Sequence, residues 1–277
     1  MIHEIGQVDD QGSASNSKKK YEVILNSPRY LVVLQARMSS NRLPGKVLKS
    51  INGQPMIYRQ IQRVLESTLV EEVVVATSTS VSDDELVEFL ESREVKVFRG
   101  SLENVFSRFI EISKEFNPKN IIRLTGDCPL VMPKLIDEMI AYFEENLTDY
   151  LSNSLDPSFP DGLDIEIFSK EAISKLGSLN LSKMELEHVT LGVYNRPEIF
   201  RVMNFSDPID RSNMRWTVDY PEDLEFVRAV YSHFKGREAM FDYEEVLEFL
   251  RSNPEVTSRI SASRRNEALL KPIEEHN

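Results

Sequence analysis

The sequence predicts an α/β protein built on a doubly wound, mostly parallel sheet. Two observations carry the prediction: short apolar runs alternate with longer segments of helical spacing, and glycines recur where the runs end. Parallel strands joined through helices need right-handed crossovers, so repeated alternation covers both faces of one sheet. The runs are YLVVLQ (30–35), VVVATS (73–78), VKVFRG (95–100) and IIRLTG (121–126). Between and after them lie PMIYRQIQRVLES (55–67), SDDELVEFLESR (82–93), NVFSRFIEISKEF (104–116) and PKLIDEMIAYFEEN (133–146). Ser82 reads as an N-cap with Glu85 as its capping-box partner, and Pro133 suits a first helical turn. Gly100 and Gly126 fall at the C-terminal ends of predicted strands, the rim where open α/β sheets bind ligands.

After Tyr150 the rhythm loosens into SNSLDPSFPDG. A strand at LDIEIF (163–168), a helix near 170–176, strands at FRVMNF (200–205) and MRWTV (214–218), and helices at 221–234 and 241–252 complete the expected elements. Residues 1–28 read as a flexible leader, 29–253 as the domain and 254–277 as a polar tail.

Of the 277 residues 41% are apolar, enough for a large core. A single cysteine, Cys128, excludes an internal disulfide, and the four histidines are too scattered for a zinc cluster. The sequence has neither a signal-peptide pattern nor an apolar stretch of membrane-spanning length, so a cytoplasmic protein without membrane contact is expected. A net charge of −12 argues against nucleic-acid binding. Against that acidic background, the basic cluster Arg37, Arg42, Lys46 and Lys49 suits a small polyanion.

Three segments carry chemistry. QARMSSNRLPGKVL (35–48) offers Arg37, Ser39, Ser40, Arg42 and Lys46 as donors for a triphosphate, without a P-loop or a dinucleotide glycine motif. A solvated basic loop is the alternative; its place after the first strand favours phosphate. RLTGDCPLV (123–131) presents Asp127 at a strand end, either as a magnesium ligand or as a turn cap. RWTVDYPEDLEFV (215–227) presents Asp219 at another strand end, while Glu222 and Asp223 are first-turn acids of a helix. Asp127 and Asp219 together would make one metal site from two distant segments. Cys128 reads as packing. DGLDIEIF (161–168) sets Asp161, Asp164 and Glu166 on one side of a strand, to read sugar hydroxyls or to form an amphipathic edge. His188 in ELEHVT either touches the acceptor or is structural.

In order, QARMSSNRLPGKVL, VVVATS, VFRGS, RLTGDCPL, DGLDIEIF, EHVT and RWTVDYPEDL resemble the spore coat polysaccharide biosynthesis protein F family. That family is a branch of the cytidylyltransferases related to the acylneuraminate and 3-deoxy-manno-octulosonate (KDO) CMP-synthetases. The resemblance spans about residues 30–234. It implies a nucleotide-diphospho-sugar transferase-like fold, shared with type A glycosyltransferases, with an acceptor and dimerisation subregion near 150–205. It also implies a homodimer that transfers CMP from CTP to a small anionic sugar-like acceptor: a sugar acid, sugar phosphate or polyol phosphate. Residue by residue, it places the triphosphate on Arg37, Arg42 and Lys46, magnesium on Asp127 and Asp219, and cytosine and ribose near Thr77, Arg99 and Gly100. Gln35, Ala36, Ser39 and Arg123, inside the same motifs, join the nucleotide site, and Arg37, Lys46, Asp127 and Asp219 form the catalytic set. The rivals are a nucleotide-sugar glycosyltransferase, whose D-x-D signature is missing at Asp127-Cys128-Pro129, and a silent nucleotide-binding module.

Overall fold

β1 (Tyr30–Gln35) lies inside a seven-stranded sheet in the computed structural model, which describes residues 27–258, 260 and 265. Tyr30 to Leu34 are all buried there. Alternation sends Val32 and Leu34 into one apolar layer and Leu31 and Val33 into the other. An unbroken apolar run is what a strand covered on both faces requires.

A hairpin of β2 (Ser50–Ile51) and β3 (Gln54–Pro55) leads into α1 (Met56–Val64). Then follow β4 (Glu72–Ser78), α2 (Asp84–Glu91), β5 (Lys96–Gly100), α3 (Val105–Phe116) and β6 (Asn120–Thr125). β4 and β6 flank β1 in parallel and β5 pairs in parallel with β4, so these four strands end on one rim. α1 and α2 pack Ile57, Ile61, Leu86 and Leu90 on one face, whereas α3 packs Phe106, Phe109 and Ile112 on the other. At roughly 1.5–3 kcal/mol per buried large apolar side chain, these layers dominate the favourable side of folding.

The second half comprises α4 (Pro133–Glu145), β7 (Tyr150–Ser152), β8 (Glu166–Ser169), α5 (Lys170–Gly177), α6 (Lys183–Glu187), α7 (Leu191–Tyr194), β9 (Val202–Asn204), α8 (Pro221–His233), α9 (Tyr243–Ser252) and α10 (Pro254–Thr257). β8 runs antiparallel between β6 and β7, and β9 closes the order β5-β4-β1-β6-β8-β7-β9. The sheet is thus mostly parallel, as predicted. Pro133 opens α4.

Several local expectations change. Ser82 does not cap α2: Asp83 stands at the N-cap, and the Ser80 hydroxyl accepts from the Ser82 N–H at 3.4 Å. YLS at 150–152 forms β7, a three-residue strand too short to show periodicity. The strand expected at 214–218 shrinks to one bridge between Asp161 and Arg215, because the chain then turns to hydrogen-bond the segment at Asp127 instead. LDIEIF is extended as a ladder strand only from Glu166, so Asp161 is placed by a turn and not by strand alternation. That turn runs through Gly162, whose φ is 110° and where a Cβ would lie 2.5 Å from the Thr217 nitrogen. Past residue 253, α10 buries Val256, and Arg265 lies against the domain. The leader expected at 1–28 lies outside the described residues except for Ser27 and Pro28. No helix among the described residues is long and apolar enough to cross a membrane.

Candidate active site

The rim formed by β1, β4 and β6 opens into a cleft with two joined basins, about 450 Å³ and 540 Å³ in volume. Arg42, Arg123, Asp127, His188 and Asp219 border both. Gly126 lets the β1 and β6 ends meet closely: its N–H donates to Gln35 O at 2.8 Å, and a Cβ there would sit 2.9 Å from that of Ala36.

The first basin carries the basic loop. Gln35, Ala36, Arg37, Ser39, Arg42, Lys46 and Arg123 all line it, so the structure gathers these predicted residues in one place. The loop is moored by the Met38 N–H, which donates to Asp83 Oδ1 at 2.8 Å. Asp83 is fully buried; burial alone would raise its pKa, but hydrogen bonds from Ser78, Met38 and Thr77 outweigh that and hold it low. Thr77 therefore sits one layer beneath the cleft, its hydroxyl 3.0 Å from Asp83 Oδ2. Arg99 is likewise directed elsewhere, to Ser78 O at 3.0 Å, Ser80 O at 2.9 Å and Asp84 at 2.7 Å. Gly100 backs onto Arg108, with room for no Cβ, since one would lie 2.9 Å from Arg108 Cγ. Neither Thr77, Arg99 nor Gly100, which the resemblance sets near the base and ribose, is among the residues lining the two basins. Arg108 of α3 does reach the basin from this side, beside Val105, and is anchored to Ser101 O at 2.8 Å. Burial and the neighbouring Arg37 lower its pKa, against the opposing pull of Asp83. Sequence reasoning missed it, although a cation at 108 inside the stripe Val105, Phe109, Ile112 is a visible signal.

At the junction, Lys46 Nζ donates to Asp127 Oδ2 at 2.9 Å, Asp219 Oδ1 at 3.0 Å and Val218 O at 2.8 Å. The two distant aspartates are thus brought together. The backbone accounts for it: Val218 N–H donates to Asp127 O at 2.8 Å, laying the two segments side by side. Burial works against the lysine charge, yet the two carboxylates outweigh it and raise its pKa. Burial also works against Asp127, and Lys46 overcomes it, holding that carboxyl far below the usual range. Asp219 is further held by Arg42 at 2.6 Å and by Arg215 at 2.8 Å. Arg215 also pairs with Asp161 at 2.8 Å and with Asp223, which accepts from the Asp219 and Tyr220 N–H groups at the start of α8. Arg215 was not singled out from sequence; the acids four and eight residues on were the available sign. The Cys128 thiol is buried, and burial together with Asp127 pushes its pKa well up, in keeping with a packing role.

The second basin brings Asp161, Asp164, Glu166 and His188 together. Their situations differ. Glu166 is opposite Arg123 in the β6–β8 ladder and forms an ion pair with it. Its other oxygen accepts from Tyr150 OH at 2.5 Å and Thr190 Oγ1 at 2.6 Å, so this carboxylate is committed to the protein, not poised for sugar hydroxyls. Arg123 still directs Nε and Nη2 toward Gln35 Oε1 at the long distances of 3.4 and 3.3 Å. Asp164 pairs with Arg265, from beyond the expected domain, and burial pushes its pKa up to about 6. No signal in the sequence pointed to Arg265. His188 is half-buried; burial and Arg123 lower its pKa against the pull of Glu187.

As oxygen donors, Asp127 and Asp219 fit a hard divalent cation, which takes one or two carboxylates and fills its shell with water or phosphate. Lys46 stands between them, so such an ion would share or replace the ammonium's contacts. Among the described residues no third His, Cys, Asp or Glu joins them as a ligand group.

The Cytidylyltransferase family profile matches residues 31–252. The chain is 33% identical to the spore coat polysaccharide biosynthesis protein SpsF of Bacillus subtilis, over 84% of this chain and 98% of that protein. A solved cytidylyltransferase from Leptospira borgpetersenii serovar Hardjo-bovis superposes with a TM-score of 0.79 at 32% identity, covering 86% of this chain and all of that one. The CMP:2-keto-3-deoxy-manno-octonic acid synthetase complexed with CTP shares the fold, at 21% identity and a TM-score of 0.55, over 74% of this chain and 99% of that one. With a seven-stranded mixed sheet, a basic loop after β1 and Asp127 and Asp219 joined by Lys46, the chain belongs to the cytidylyltransferase family of nucleotidyltransferases.

Proposed function

We propose that the enzyme transfers CMP from CTP to a hydroxyl or phosphate oxygen of a small sugar-like acceptor, with CTP in the basic basin and the acceptor in the carboxylate-lined one. One observation carries the reading: the Lys46–Asp127–Asp219 cluster sits where the two basins meet. Arg37, Arg42 and Arg108 neutralise the triphosphate, and Lys46 orients the two aspartates. Asp127 and Asp219 would hold magnesium, which when bound would supply positive charge beside the α-phosphate and the pyrophosphate. Catalysis is otherwise positioning, as in phosphoryl transfer generally. A role in surface polysaccharide synthesis belongs to the same reading, supported by the name of the SpsF relative, and we extend it to a homodimeric, cytoplasmic enzyme. Acidic sugars, sugar phosphates and polyol phosphates should be screened with CTP and magnesium while pyrophosphate is followed. Acceptor-dependent release from CTP but not from ATP, GTP or UTP is expected. Release of a nucleotide from a nucleotide sugar instead would overturn the reading.

A further inference from the structure

His188 closes α6 at the junction of the two basins. Its backbone is fixed on both sides: the N–H donates to Met184 O at 2.8 Å and the carbonyl accepts from Leu191 N at 3.2 Å. The next residue, Val189, is buried with a φ of 46°, a region that β-branched side chains avoid. Strain of this kind persists only where the surroundings impose it. Here it separates two residues that face the cleft, His188 and Thr190, the second of which is tied to Glu166. Among the described residues, no hydrogen bond or ion pair engages the His188 imidazole.

Every carboxylate that lines the acceptor basin is otherwise engaged. Glu166 is saturated, Asp161 and Asp164 pair with Arg215 and Arg265, and Asp127 and Asp219 hold Lys46. We propose that His188 is the general base of the transfer, taking the proton from an acceptor hydroxyl as that oxygen bonds to the α-phosphorus. The bond from phosphorus to the bridging oxygen then breaks, pyrophosphate leaves with the electron pair, and the imidazolium returns its proton to solvent. This rests on the CMP-transfer reading and selects a hydroxyl, not a phosphate oxygen, as the attacking group.

The charges around the ring fit the task. Arg123 from β6 disfavours the imidazolium and the adjacent Glu187 favours it, while Arg108 from α3 and Glu166 from β8 also line the basins. Across the cleft stand Arg42, Asp127 and Asp219, with Asp161 and Asp164 on the acceptor side. With burial as the largest influence the balance lowers the pKa, so the ring is neutral near pH 7 and able to accept a proton.

The test compares parent, His188→Gln and His188→Ala with CTP, magnesium and an acceptor found by the pyrophosphate screen. Both variants should bind CTP as the parent does and lose roughly 10²–10⁴-fold in kcat. The acid limb of the parent's kcat/KM profile should vanish in both, and imidazole should partly restore His188→Ala. A kcat within a few fold of the parent, or a persisting acid limb, overturns the base. A raised acceptor KM with kcat preserved makes His188 a binding residue only and also overturns it. If the parent releases no pyrophosphate with any acceptor, the transfer reading itself fails and the proposal with it.

Discussion

Replacing Lys46 by methionine keeps the length of the side chain and removes the charge that joins the two aspartates. The ammonium lies 2.9 and 3.0 Å from its partners, so at an effective dielectric of about 20 each attraction is about 6 kcal/mol before desolvation is counted. Burying the ions offsets much of this, since desolvation costs several kcal/mol per ion. What decides the outcome is the partner left behind. Asp219 keeps Arg42 and Arg215, but among the described residues the ion pair of Asp127 is with Lys46. Breaking a fully buried pair typically costs about 3–5 kcal/mol, and because the Asp127 side chain is 29% exposed a loss near the lower end of that range is expected in urea unfolding near pH 7.

The pH dependence supplies the sign. Asp127 is depressed in the folded state, so its contribution is present above the ordinary carboxylate range and is lost as pH falls through the folded value. The gap between parent and variant should accordingly narrow below about pH 4. Magnesium should restore part of the variant's stability and change the parent's less, because a cation at the paired aspartates would take over the ammonium's role. A variant within about 1 kcal/mol of the parent near neutral pH, or a gap that ignores both pH and magnesium, would refute this account.

Asp127→Asn and Asp219→Asn should fold, lose turnover and need more magnesium for what remains, with the double variant little worse than either single one; steady-state kinetics over a magnesium series checks this. The basic residues are not interchangeable: Arg37 is exposed, and Arg37→Ala should weaken CTP binding by about one to two decades with an unchanged melting temperature, as titration calorimetry and thermal unfolding would show. The raised Asp164 pKa makes the folded state retain a proton that the unfolded chain has released. Stability should therefore fall as pH rises from about 4 to about 6, by up to about 3 kcal/mol, and Asp164→Asn should flatten that slope in denaturant titrations.

Much of this protein can be read from the chain alone. The run YLVVLQ specifies a strand buried on both faces wherever it is placed, and the i, i+4, i+7 stripe Val105, Phe109, Ile112 specifies a helix that covers it, because both patterns are local and periodic. Asp127, just past β6, and the basic loop after β1 are legible for the same reason: strand, turn and charge are adjacent in sequence, whereas the strand expected before Asp219 does not form. Other features depend on contacts between distant segments and leave no local trace. Only folding shows that Lys46 bridges residues 127 and 219, that Glu166 is committed to Arg123, Tyr150 and Thr190, and that Arg265 reaches Asp164. Thr77 and Arg99 make the converse case. Each ends a strand on the ligand-binding rim, yet one serves Asp83 beneath the cleft and the other pairs with Asp84 beside it. A residue's place along a strand follows from periodicity, but which buried partner satisfies its polar atoms is settled by long-range packing, where an unpaired buried group costs more than any local preference.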